Sequence, residues 1–173
     1  MKDIYIVLTH TGTILSNIIK LVKHTKYNHA SISLDKELNL LYSFGRLNPY
    51  LTLPGGFIKE GIRIGTFKRF KNTKCKILKL EVTEMQYKLM LDKINYIVEH
   101  KKEYGFNIIG FLLAGINVRR CCSNKYYCSE FVKYILDFGK VDVSKISDIV
   151  QPEDLLLLDG LEVVFEGILR DYK

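Results

Sequence analysis

The chain has 173 residues, 47% of them hydrophobic, and a formal net charge of +7 at pH 7. That length and apolar content suffice for one sizeable core, and with no repeat, low-complexity run or Pro/Ser-rich linker a single domain over residues 1–173 is expected. The positive charge comes without a helix-turn-helix, zinc-finger or RRM-like signature, which argues against nucleic acid and for a peptide, acyl-amide or lipid-like partner, anionic if the charge is used.

In chain order, a strand is predicted at Ile4–Leu8 and a helix at Ile14–Lys23, with Thr11 or Thr13 as its cap. Met1 to Leu8 has too short an apolar run for a signal-peptide core, so a cytoplasmic protein is expected. Basic Lys20, Lys23, His24 and Lys26 then lead into Ala30-Ser31-Ile32-Ser33-Leu34, a polar Asp35-Lys36-Glu37 turn and Leu38 to Phe44. This reads as a hairpin with His29 at the mouth of its first strand. A long loop from Leu47 to Gly61 follows, whose Asn48–Phe57 portion pairs aromatics with glycines and reads as either a substrate lid or a plain surface loop.

Strands are expected near Ile62–Phe67 and Lys76–Val82, joined by the basic run of Lys68, Arg69, Lys71 and Lys74. Thr83-Glu84-Met85-Gln86 is a capping box opening a helix with Tyr87, Met90, Leu91, Ile94, Ile97 and Val98 on one stripe. Phe106–Val118, at about thirteen uncharged residues, is too short to cross a bilayer and reads as a core helix near Ile108–Ile116, with an acyl-chain groove or membrane-surface element as the alternative. A short helix opened by Pro152 and a strand at Leu161–Ile168 close the chain. Strands and helices are partly segregated, which predicts an α+β fold with a mainly antiparallel sheet packed against helices.

Two segments carry chemistry. Phe131, Val132, Ile135, Leu136 and Phe138 recur at helical spacing before Gly139, so Tyr127–Phe138 reads as an amphipathic helix with Cys128 in its first turn. A thiol there meets the positive end of the helix dipole and unpartnered N–H groups, which favour the thiolate. Cys128 alone would read as a small core residue and His29 as a strand-end histidine; together they are a nucleophile and base candidate. Cys121, Cys122 and Cys128 lack any C-x-x-C pair, so neither a zinc site nor another cofactor is expected.

Tyr27-Asn28-His29-Ala30-Ser31-Ile32 followed far downstream by Tyr127-Cys128-Ser129-Glu130-Phe131-Val132 resembles the permuted NlpC-type papain-like superfamily of bacterial cysteine amidases, peptidases and lipid-directed relatives. In that permuted order the His strand precedes the Cys helix. The resemblance extends to Thr11–Ser16, Tyr42–Arg46, Gln151–Leu155 and Glu166–Leu169. It implies Cys128 as nucleophile, His29 as general base, and a third polar residue on the strand after the histidine. That place falls near Ser43, a departure from the carboxylate, amide or imidazole of relatives. Tyr27, Arg46 and Tyr127 are the candidate substrate-binding residues. The functions left open are a cysteine hydrolase of amide, peptide or ester bonds, an acyltransferase with the same nucleophile, and a lipid- or peptide-binding module whose pocket is catalytically silent.

Overall fold

The computed structural model describes residues 1–11, 26–48, 50–51, 54–114, 118–120 and 122–173. The predicted helix at 14–23 lies outside them, as do Thr13 and Cys121. Six strands form one antiparallel sheet in the order β4-β3-β2-β1-β5-β8. They are β1 (Lys2–His10), β2 (His29–Ser33), β3 (Leu41–Arg46), β4 (Gly55–Glu60), β5 (Lys74–Val82) and β8 (Leu161–Ile168). A two-residue parallel pair, β6 (Gly105–Phe106) and β7 (Lys125–Tyr126), stands apart. The helices are α1 (Gly65–Arg69), α2 (Glu84–Glu99), α3 (Ile108–Ala114) and α4 (Cys128–Phe138).

Alternation along the strands buries both faces of the sheet. Ile4, Ile6, Leu8, Ala30, Ile32 and Phe44 pack with Met90, Ile94 and Ile97 of α2 and with Phe131, Val132, Ile135 and Leu136 of α4. On the opposite face Tyr5, Val7, Cys75 and Ile77 meet Phe67, Leu169 and Tyr172. The expected capping box is present: Gln86 N–H donates to Thr83 Oγ1 at 3.2 Å and Thr83 N–H to Gln86 Oε1 at 2.9 Å. The antiparallel α+β layering expected from the sequence is therefore observed.

Two expectations are corrected. The region read as one loop from Leu47 to Gly61 contains β4, which pairs with β3 over six positions from Leu41↔Glu60 to Arg46↔Gly55. Its two leading glycines conceal the period-two pattern, and pairing rather than propensity forms it. The strand read at Ile62–Phe67 is instead a tight turn, in which Ile64 N–H donates to Gly61 O at 3.1 Å, followed by α1. Gly65 has φ +58°, a value that ends extended structure there and that a side chain would strain.

An aromatic cluster joins the sheet to the cysteine helix. Phe44, Phe57 and Phe131 pack with ring centroids 5.3 to 5.7 Å apart. Phe131 lies one turn after Cys128 and is fully buried, and that burial contributes about 1.5–3 kcal/mol. The cluster thereby sets α4 at a fixed height over β3 and β4.

Candidate active site

The first turn of α4 is organised around backbone groups. Tyr127 is the N-cap residue in extended conformation, and the Glu130 carboxylate reaches back to accept its N–H at 3.2 Å. Cys128 is thus the first helical residue, 4% exposed, with its sulfur accepting from the N–H groups of Ala30 and Ser129. Ser129 Oγ donates to Val150 O at 2.9 Å, fixing the rotation of the helix.

His29 opens β2 opposite Thr9 of β1, and Asn28 N–H donates to Thr9 O at 3.1 Å. The imidazole side chain is 19% exposed and touches the Cys128 thiol. Its Nε2 lies 3.2 Å from Glu60 Oε2 and 3.3 Å from Ser31 Oγ. With Nε2 so engaged, Nδ1 is the nitrogen left for the sulfur. The Glu60 side chain is only 5% exposed, so its charge acts on the ring with little screening by water.

Burial opposes charge on both reactive groups, and their mutual contact overrides it. For His29, burial alone would lower the pKa, but hydrogen bonds to Cys128 and Glu60, with the charges of both, push it up to about 10. For Cys128, burial would raise the pKa, yet the hydrogen bond and charge of His29 and the Ala30 and Ser129 amides bring it below the ordinary thiol value. The contact therefore favours the charged form of each partner, thiolate on Cys128 and imidazolium on His29. Cys75 is the contrast: burial pushes its thiol up to about 12, and the backbone hydrogen bond from Gly167 only partly offsets that.

The polar partner of the ring stands one strand away from Ser43, where the resemblance leads one to expect it. Ser43 Oγ donates to Ala30 O at 2.6 Å, in the wall of the site and not on the imidazole. Glu60, on the next strand, makes the ring contact. Gly45 leaves space for the Ile58 side chain, whose Cδ1 would lie 2.8 Å from a Cβ there, while His29 Cε1 would be at ordinary contact distance, 3.5 Å. Ser43→Ala is expected to cost about 1–3 kcal/mol by leaving the buried Ala30 carbonyl short of a donor. Urea unfolding should register that loss while the pH profile of Cys128 alkylation stays as in the wild type.

The three residues picked out for substrate contact divide. Tyr27 and Tyr127 are almost wholly buried, at 2% and 5% exposed. Tyr27 OH donates to Glu166 at 3.2 Å, and the Tyr127 ring packs against Phe111 with centroids 6.0 Å apart. Both brace the site from within. Arg46, at the end of β3, is half-buried with its guanidinium 5.8 Å from the Phe70 ring centroid. Burial lowers its pKa while the nearby Glu60 charge raises it, so this cation lies on the Glu60 side of the site.

Two further devices hold the pair, neither visible as a motif of its own. Glu153 Oε1 accepts the N–H of Lys26 at 2.5 Å and of Tyr27 at 3.1 Å, immediately before the His29 strand. Glu153 follows by three residues the Val150 carbonyl that holds Ser129, so one short segment grips both the helix that carries Cys128 and the strand that carries His29. Buried Asn107 ties the cysteine helix to α3. Its Oδ1 caps α3 by accepting Gly110 N–H at 3.0 Å, while Nδ2 donates to Arg120 O at 3.1 Å and faces Glu130 Oε2 at 3.4 Å. A Cβ at Gly110 would fall 2.2 Å from that amide, which is why a glycine stands inside this helix.

Among the described residues no cluster of three or more His, Cys, Asp or Glu is placed to hold a metal ion. No helix among them is long and apolar enough to cross a membrane. No protein-family model matches the chain, and no curated protein matches it in sequence.

Proposed function

We propose that the chain is a cysteine hydrolase of amide, peptide or ester bonds, of the permuted papain-like kind, with Cys128 as nucleophile, His29 as acid and base, and Glu60 orienting His29. The observation that carries this is the coupled thiol and imidazole at a helix start, with a buried carboxylate on the far side of the ring. A binding module has no need of a thiol poised below its ordinary pKa.

In the acylation step the Cys128 thiolate attacks the substrate carbonyl carbon, forming a C–S bond and moving the carbonyl π electrons onto oxygen. In this reading the oxyanion is assigned to free amides at the start of a helix, where backbone N–H groups have no intrahelical partner. As the intermediate collapses, the bond to the leaving nitrogen or oxygen breaks and the His29 imidazolium supplies its proton. Water then attacks the thioester, His29 takes the water proton, and cleavage of the C–S bond returns the thiolate and releases the acid. Arg46, on the Glu60 side of the centre, supports a preference for acyl substrates that carry an anionic group. An acyltransferase would run the same first half and differ only in the acceptor.

Thiol reactivity tests the reading directly. Limiting iodoacetamide at pH 6, with adducts mapped by mass spectrometry, is expected to label Cys128 at least about tenfold faster than Cys75 or Cys122. Short acyl esters should then leave a thioester on Cys128 that hydroxylamine removes. Faster labelling of either other thiol, with no acyl adduct from any ester, would refute the proposal.

A further inference from the structure

We propose that a second site binds a phosphate-bearing anion, in the cavity of about 350 Å³ between the Gly61–Ile64 turn, α1 and the last turn of the chain. The cavity is lined by Ile62, Arg63, Phe67, Lys68, Lys71 and Arg170. None of the residues of the cysteine centre contributes to it.

Two segments far apart in sequence, residues 62–71 and the last turn of the chain, bring four cations to this one concavity. Arg63 projects from the turn closed by Ile64 N–H on Gly61 O, Lys68 and Lys71 from α1 and the residues after it, and Arg170 from the short 3-10 turn Leu169–Asp171. That last turn is pinned beside them, because Leu169 N–H donates to Thr73 O at 2.9 Å. The floor is apolar, with Phe67 buried and Ile62 packed against the same core as Leu169.

Five lysines elsewhere pair with acids: Lys76 and Lys26 with Glu166, Lys79 with Glu162, Lys133 with Asp148 and Lys145 with Asp159. Among the described residues, none of Arg63, Lys68, Lys71 and Arg170 is in an ion pair, and no acid lines the cavity. The four are exposed and line one concavity with no acid among its lining residues, so their positive potentials add there. A monovalent carboxylate would neutralise one of the four. A phosphate or diphosphate group brings two or more charges and several acceptor oxygens, matching two guanidinium forks and two ammonium groups, while the Ile62 and Phe67 floor accepts an apolar substituent.

The test uses the whole protein. Calorimetric titration with inorganic pyrophosphate reads a free phosphate compound, and co-sedimentation with phosphatidylcholine vesicles, with and without phosphatidylglycerol, reads a lipid headgroup. The variant Arg63→Glu/Arg170→Glu is compared with Lys88→Glu/Lys101→Glu, which makes the same charge change on and just after α2. Binding in at least one arm is expected to weaken at least about tenfold in the first variant and to stay within about twofold in the second. Equal weakening in both would reduce the effect to net charge and overturn the proposal, as would no binding of either probe by the wild type. Lys68→Ala/Lys71→Ala serves if charge reversal impairs folding, with circular dichroism as the check. Iodoacetamide labelling of Cys128 should be the same in every variant, so this test stands or falls separately from the hydrolase reading.

Discussion

Replacing Cys128 by Ala is expected to lower kcat on the order of 10⁶-fold, the scale of loss when a covalent nucleophile is removed. No other group in the site can form the thioester. The charge state makes the pH dependence of the wild type diagnostic. Because the Cys128 pKa is depressed, the thiolate forms on the acid side of the ordinary thiol range, and because the His29 pKa is raised to about 10, the imidazolium persists to strongly alkaline pH. The rate of acylation should therefore rise as Cys128 ionises, at lower pH than an ordinary thiol, and fall as pH passes about 10. His29→Ala removes the main cause of the lowered thiol pKa, and the acid limb should move up towards the free-thiol value of about 8.5. Iodoacetamide rates across pH 5 to 9 read that limb without a substrate, and an unmoved limb in His29→Ala would refute the coupling.

Glu60→Gln keeps the shape of the side chain and removes its charge. Loss of the group that holds and charges the imidazole is expected to lower kcat by about 10²–10⁴-fold with KM changed far less. Glu60 raises the His29 pKa through both its hydrogen bond and its charge, so the alkaline limb should shift to lower pH in the variant. Stability carries the same sign. A folded-state pKa raised above the free value of about 6.5 means that charged His29 stabilises the fold at lower pH and that this contribution is lost as pH rises through about 10. The stability gap between wild type and Glu60→Gln should accordingly narrow between pH 8 and pH 10.5 in urea titrations. An alkaline limb at the same pH in both proteins would assign Glu60 to packing alone.

The parts of this centre that sequence makes legible are those with local periodicity. The apolar stripe of α4 places Cys128 in a first turn, and the alternation after His29 places the imidazole at a strand mouth. The capping box at Thr83 and the strand at Leu161–Ile168 are legible for the same reason. Glu60 was hidden because its strand begins Gly55-Gly56 and owes its existence to β3 beside it. Its one signal is the acid that closes Phe57-Ile58-Lys59-Glu60. Ser43 was a reasonable place to look, since the register pairs it across from Ser31, beside the ring. A donor to a buried carbonyl and a partner for an imidazole look alike in sequence, and only the path of the neighbouring strands separates them. Ile62–Phe67 misleads in the opposite way, because apolar residues there suggest a strand while Gly65 turns the chain into a helix.

The Val150–Glu153 segment gives the two halves of the centre a common tether. Ser129 hangs from its first residue, and the backbone entering the His29 strand hangs from its last. Sulfur and imidazole are thus spaced by a strap of four residues as well as by the width of the sheet and the thickness of a helix. Local fluctuations that part the helix from the strand must break the serine contact or both carboxylate contacts, so the pair comes apart as one cooperative step and not by gradual drift. Thermal inactivation should then track release of this strap before the sheet itself melts.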